Sequence, residues 1–221
     1  MGNYQILKGL QKSAAQDDYI VFYLYRKISI FFSLLFTKLS IHPNYISFSV
    51  VFADFFVIYQ MYLGNWIWAG ILVNLAIVLD CCDGEMARFY IKIESKKRIS
   101  FAYGQYIDEV AGFVGITLLV LFAGYFLGNL WVGILGMFGL LMNFGSSFLA
   151  TNLFGENKKK IAREFEEGIF GKIKGRVGFS NGLQRILITL AVLFQSIYVL
   201  LVFGILINLL WLIKLWLYRN E

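Results

Sequence analysis

Two aspartates three residues apart, Asp80 and Asp83, stand with a glycine, an alanine and an arginine in the stretch DCCDGEMAR, residues 80–88. The run just before it, NWIWAGILVNLAIVL, carries no charge at all. On a helix each residue turns by about 100°, so with Asp80 at zero, Asp83 falls at about 300°, Gly84 at about 40°, Ala87 at about 340° and Arg88 at about 80°. Two carboxylates then share one narrow face with two of the smallest side chains, and a cation stands at its edge. Glu85 and Met86 point elsewhere. Such a face lets a ligand approach the backbone closely while oxygen ligands reach beside it. Farther along, GQYIDEVAG sets Gly104, Asp108 and Gly112 at i, i+4 and i+8, so a second face carries a carboxylate between glycines.

Three convergent carboxylates repel one another unless a cation or protons intervene. Mg²⁺ or Mn²⁺ suits such a set, since these ions take carboxylate and phosphate oxygens and complete their shell with substrate. Softer chemistry is not expected. The two cysteines, Cys81 and Cys82, are neighbours and there is one histidine, which supplies neither a disulfide framework nor a zinc site. The competing account, helix-end charges snorkelling to an interface, leaves the glycines unexplained.

The elements that must position these groups are membrane helices. The chain has 221 residues, of which 59% are hydrophobic and 18% aromatic, and its mean hydropathy is +0.68. Soluble domains are markedly less apolar. A spanning helix needs about 20 apolar residues, so the length fits five to seven spans with no separate soluble domain. Residues 19–40 are apolar but interrupted by Arg26 and Lys27 and closed by Lys38, a pattern that predicts an amphipathic helix lying in the cytoplasmic interface. IHPN, residues 41–44, holds the one proline and the one histidine, and a helix can begin there.

Six further apolar segments follow, roughly 45–63, 65–88, 104–126, 129–153, 182–199 and 201–218, the last two without a strong turn signal between them. The connections at 89–103 and 156–181 are basic, whereas YLGNW and FLGNL are uncharged. The positive-inside rule then places the N-terminus, both basic loops and the C-terminal Lys214 and Arg219 in the cytoplasm, a parity that six spans satisfy. The expected fold is all-α integral membrane: a juxtamembrane segment over 1–40 and a six-helix domain over 41–221. The net charge of +6 is accounted for by topology signals and attraction to anionic lipid, with no nucleic acid.

DCCDGEMAR followed by GQYID resembles the signature of the CDP-alcohol phosphotransferases, D-x-x-D-G-x-x-A-R and then G-x-x-x-D-x-x-x-D, and IHPNYIS resembles the segment that opens the first span in that family. The resemblance implies a transferase that moves a substituted phosphate from a CDP-alcohol to a hydroxyl acceptor and releases CMP, in phospholipid or related glycolipid synthesis. It implies that Asp80, Asp83 and Asp108 bind divalent metal and that the metal holds the pyrophosphate. Asn44, Gly84, Ala87, Arg88 and Gly104 would line the donor site, and Arg185, in SNGLQR at the start of the fifth span, would meet an anionic acceptor. It further implies a homodimer in a bacterial or archaeal inner membrane, multi-pass, with its site open to the cytoplasm.

Two features depart from that signature. Its last Asp, four residues after Asp108, is Gly112, which can serve neither as base nor as ligand. Arg88 and Gly104 are also separated by fifteen residues, a longer loop than the family motif has. Candidates to replace the base are Glu109, about 100° from Asp108 around the helix, and His42, whose ordinary pKa suits the task. Asp54 lies deep in the first span, where an intramembrane carboxylate is a functional candidate. An acceptor already ionised, or one activated by metal, needs no side-chain base. The alternatives to an active transferase are a non-catalytic relative that keeps the nucleotide site, and an ion-coupled transporter, which predicts an internal repeat that the sequence lacks.

Overall fold

The computed structural model describes residues 3–12, 20–93, 102–145 and 181–219. Among them every regular element is helical. Helix α1 spans Asn3–Leu10, and a π-helical turn at Val21–Tyr25 runs straight into α2, Arg26–Lys38. Then come α3, Pro43–Tyr62; α4, Trp66–Ile93; and α5, Ala102–Phe126. Helix α6 is Leu130–Gly145, followed by α7, Asn181–Leu193, and α8, Ile197–Arg219. The basic loops expected at 89–103 and 156–181 fall largely outside the described residues, as does the end of the fourth apolar segment at 146–153.

Helix α3 starts where the sequence placed a start. His42 is extended, with φ −73° and ψ 138°, and its Nδ1 accepts from the Asn44 N–H at 3.3 Å, while Pro43 occupies the first turn. Proline suits that position because its missing N–H has no partner there in any case. The helices reverse by one repeated device. The Asn65 N–H donates to the Gln60 carbonyl, that of Asn129 to Gly124, and that of Ser196 to Ala191, each at 2.9 Å. The residue before each donor has positive φ: Gly64 at 76°, Gly128 at 84° and Gln195 at 48°. This is the six-to-one bond that closes a helix end when the next residue turns left-handed. Glycine enters that region freely and glutamine does not. The third reversal lies at residues 194–196, several residues before the break expected near 200, and the sequence does not mark it because no glycine stands there.

Helix α3 packs along both α4 and α5, α7 lies on α4, and α8 packs on α7. Helices α5 and α6 touch backbone to backbone, since a Cβ on Gly124 would collide with Gly133, and one on Gly139 would collide with Ile207 of α8. Such approaches suit lipid, where water gives no drive to bury apolar groups between helices and close packing holds them together. Two cores result. One gathers Val57, Val73, Leu119, Ile188, Leu200 and Phe203 from α3, α4, α5, α7 and α8. The other joins Leu7 of α1, Tyr25 and Ile30 to Ile46 of α3 and to Cys82, Met86 and Phe89 of α4.

The amphipathicity of α2 runs opposite to that of a soluble helix. Arg26, Ser29, Ile30 and Ser33 form its buried stripe, whereas Ile28, Phe31 and Leu35 face outward. Arg26, which argued for a headgroup-facing charge in the sequence, is turned inward. Phe48, Phe52, Phe55 and Phe56 of α3 are likewise exposed. An apolar exterior over polar interior contacts is the arrangement lipid favours. Pro43–Tyr62 and Trp66–Ile93 are long and apolar enough to cross a membrane, while the described apolar parts of α5 to α8 are shorter.

Candidate active site

The site forms on the C-terminal half of α4, where α3 begins beside it. Asp83 is 7% exposed, and its Oδ2 accepts from the Ser47 hydroxyl at 2.7 Å. Ser47 stands one turn into α3, four residues after Pro43, so the proline that starts α3 also sets the serine against Asp83. Asp80 precedes Asp83 by a turn and is exposed. The Asp80 and Arg88 charges both act on Asp83, and Asp80 also acts on Arg185. Asp80, Asp83, Gly84 and Arg88 all lie on the one unbroken helix α4.

Glycine at 84 leaves room for the Arg88 side chain. A Cβ there would lie 3.3 Å from Nη1 of Arg88, whose guanidinium lies across the helix at this point. Arg88 Nε in turn donates to the Leu10 carbonyl at the end of α1, at 2.7 Å. Asn44 lies one turn before Ser47 on the same face of α3, and its Oδ1 is buried without a hydrogen-bond partner among the described residues. A buried acceptor left open in this way calls for an explanation, commonly a ligand, ion or water. Asn44 Oδ1, the Ser47 hydroxyl and the carboxylates of Asp80 and Asp83 are all oxygen donors, the type a hard divalent cation takes.

Glu85 faces the other side of α4 and is fully buried. Its Oε1 accepts from Gln11 Nε2 at 2.8 Å, Arg26 Nη1 at 3.1 Å and Ser29 Oγ at 2.8 Å, and its Oε2 accepts from Ser33 Oγ at 2.7 Å. A second buried ion pair lies deeper. Arg185 of α7 holds Asp54 of α3 through two bonds, Nη1–Oδ1 at 2.7 Å and Nη2–Oδ2 at 3.3 Å. Gly115 of α5 is bare against Asp54, where a Cβ would strike Oδ2. A polar relay links the two regions: the Tyr25 hydroxyl donates to Asn74 Oδ1 at 2.6 Å, Asn74 Nδ2 to Thr189 Oγ1 at 3.1 Å, and the Thr189 hydroxyl to the Arg185 carbonyl at 2.8 Å.

The structure therefore ties Asp83 to the first turns of α3 through Ser47 and sets Arg88 over Gly84, while Arg185 is engaged by Asp54. His42 caps α3, with its ring edge-on to Tyr45. Gly104, Asp108 and Glu109 are described only as backbone of α5, and their side chains lie outside the described residues. Among the described residues, nothing lies within 4 Å of a Cβ placed on Gly112. No group of three metal-ligating side chains is gathered among the described residues. Sequence reasoning missed Ser47, Asn74 and Thr189. The signal was a polar residue inside an apolar run, too common to single out unaided.

Helices of this apolar character, joined to a carboxylate and arginine face at one helix end, define an all-helical membrane protein. The CDP-alcohol phosphatidyltransferase family profile matches residues 40–217, and the chain belongs to that family. Its members are transferases that generally use divalent metal ions. The chain is also similar to a bifunctional IPC transferase and DIPP synthase of Archaeoglobus fulgidus, at 30% identity over 107 residues. That alignment takes in 48% of this chain and 18% of the relative, so it spans less than a fifth of that protein's length.

Proposed function

We propose that the protein moves a substituted phosphate from a CDP-alcohol to a hydroxyl acceptor, releasing CMP, in the synthesis of phospholipids or related glycolipids. The observation that carries this is the state of Asp83: a buried carboxylate with one side-chain hydrogen bond among the described residues, set among Asp80, Arg88 and the open Oδ1 of Asn44. The Gly84 backbone and the Arg88 charge also favour its carboxylate, and a carboxylate taken out of water beside a second one is costly unless positive charge completes its surroundings.

Asp80 and Asp83 would hold the divalent ion from α4, with Asp108 joining from α5. When bound, Mg²⁺ or Mn²⁺ neutralises the pyrophosphate and makes CMP a better leaving group. The chain's own residues do the rest. Ser47 fixes the direction of the Asp83 carboxylate, and the Arg88 guanidinium presents a planar fork to phosphate oxygens. Asn44 Oδ1 offers an acceptor to the nucleotide or to the ion's shell. The acceptor hydroxyl attacks the phosphorus nearest the alcohol, the bond from that phosphorus to the CMP oxygen breaks, and the hydroxyl proton leaves to solvent or to a nearby base. Glu109 and His42 are the side chains of this chain nearest that task in sequence terms. We place the site at the cytoplasmic face of a six-span, multi-pass protein of a bacterial or archaeal inner membrane, paired as a homodimer. The apolar exteriors of α2 and α3 support the lipid setting.

A second reading, a non-catalytic relative that binds CDP-linked nucleotide, is favoured by Gly112 alone, which is bare where the signature has an acid. The deciding experiment measures Mg²⁺- or Mn²⁺-dependent CMP release from a panel of CDP-alcohols and hydroxyl acceptors, with Asp83→Asn as control. Metal-dependent release that Asp83→Asn abolishes supports the transferase. Nucleotide binding without turnover selects the second reading, and failure to bind any cytidine nucleotide overturns both.

A further inference from the structure

The family match begins at residue 40, yet the segment before it bonds to the motif helix at two places. Leu10, the last residue of α1, gives its carbonyl to Arg88 Nε at 2.7 Å. Gln11, the next residue, reaches with one amide nitrogen both the Arg26 carbonyl at 2.9 Å and Glu85 Oε1 at 2.8 Å. Both contacts fall within one turn of α4, between Glu85 and Arg88. Leu7 anchors the helix from below, fully buried among Met86 and Phe89 of α4 and Val21 and Tyr25 of the neighbouring turn.

We propose that residues 3–12 form a positioning element of the nucleotide site, fixing the Arg88 guanidinium through the Leu10 carbonyl and latched in place by Gln11 on Glu85. This rests on the reading of Arg88 as a phosphate-binding group. The physics favours the contact at both ends. The last carbonyls of a helix have no partner within it, and they form its negative pole, where a cation is stabilised. An arginine side chain is long and rich in rotamers, but its guanidinium is a rigid fork. Once Nε is fixed on the Leu10 carbonyl, the two remaining nitrogens keep one orientation, over Gly84 and beside Asp83. The latch is well made, since Glu85 is fully buried and accepts from four donors.

The segment would thus act through Arg88 and touch no substrate itself. The test uses the full-length protein in detergent with Mg²⁺, CMP as the probe, and affinity read by calorimetry. Leu7→Asp undocks α1, and hydrogen exchange over residues 3–12 reports the undocking. Gln11→Ala loosens the latch alone. Undocking is expected to weaken CMP binding by roughly tenfold, the size of a lost hydrogen bond to a charged group, and Gln11→Ala by less. Against an Arg88→Lys background, Leu7→Asp is expected to cost no more than about twofold further, because lysine offers no fork to orient. Unchanged CMP affinity with α1 shown to be undocked overturns the proposal. So does a tenfold loss that persists in the Arg88→Lys background, since α1 would then act on the fold in general. A wild-type protein that binds no CMP removes the nucleotide site itself, and this proposal with it.

Discussion

Asp83 and Glu85 are two buried acids two residues apart on the same helix, and their surroundings differ sharply. Glu85 accepts from two serines, a glutamine and an arginine, which leaves its carboxylate with little capacity for anything more. Asp83 accepts from the side chain of Ser47, with an exposed Asp80 and the charge of Arg88 nearby. Burial alone therefore does not tell the two acids apart. The number of donors does. On the proposed function, the filled shell of Glu85 serves the fold and the less filled one of Asp83 serves the ligand.

The contrast breaks if the two acids exchange symptoms. Asp83→Asn is expected to lower metal-dependent CMP release by roughly 10²–10³-fold, the scale for losing one preorganised charge-stabilising group. It should do so with little change in thermal melting, since the amide oxygen still accepts from Ser47. Glu85→Ala should do the reverse, lowering stability by about 3–5 kcal/mol because Arg26 is left buried without its counter-charge. Thermal unfolding in detergent reads that loss directly.

Three smaller effects sharpen the picture. Gly115→Ala drives a methyl into Asp54 and is expected to cost about 1–3 kcal/mol by the same unfolding assay, which tests whether the Asp54–Arg185 pair is as closely fitted as the Glu85 cluster. Ser47→Ala and Ser33→Ala each remove one hydroxyl donor and should each cost about 1 kcal/mol. Only Ser47→Ala should shift the Mg²⁺ titration of CMP release, by roughly tenfold, as loss of a group that orients a metal-binding carboxylate does. Gly112→Asp meets no described residue and should change stability by no more than about 0.5 kcal/mol, checked by melting before its turnover is compared with wild type.

Much of this was legible in the residues. The spacing of Asp80, Asp83, Gly84 and Arg88 gave their common face because helical periodicity is a local property, and Pro43 marked the start of α3 for the same reason. The partner of each charge was not legible. Arg26 faces Glu85 across 59 residues of sequence and Arg185 faces Asp54 across 131, and no local pattern encodes such pairings. Arg26 therefore read as a surface charge although it is buried, and Arg185 as a group facing an acceptor although it is paired with an aspartate. The reversal at Gln195 escaped for a different cause: a left-handed residue without glycine leaves no mark in composition.

The hairpin of α3 and α4 is fastened at both extremities, by the three-residue bend at Leu63–Asn65 and by the Ser47 hydroxyl on Asp83. Neither rod can slide along the other without tearing one fastening. Force applied to Asp83 by anything bound there is therefore handed to Ser47, and through it to the mouth of α3 at His42, Pro43 and Asn44. The same hydroxyl bonds the Pro43 carbonyl, so the acid on α4 and the first turn of α3 are tied through one oxygen.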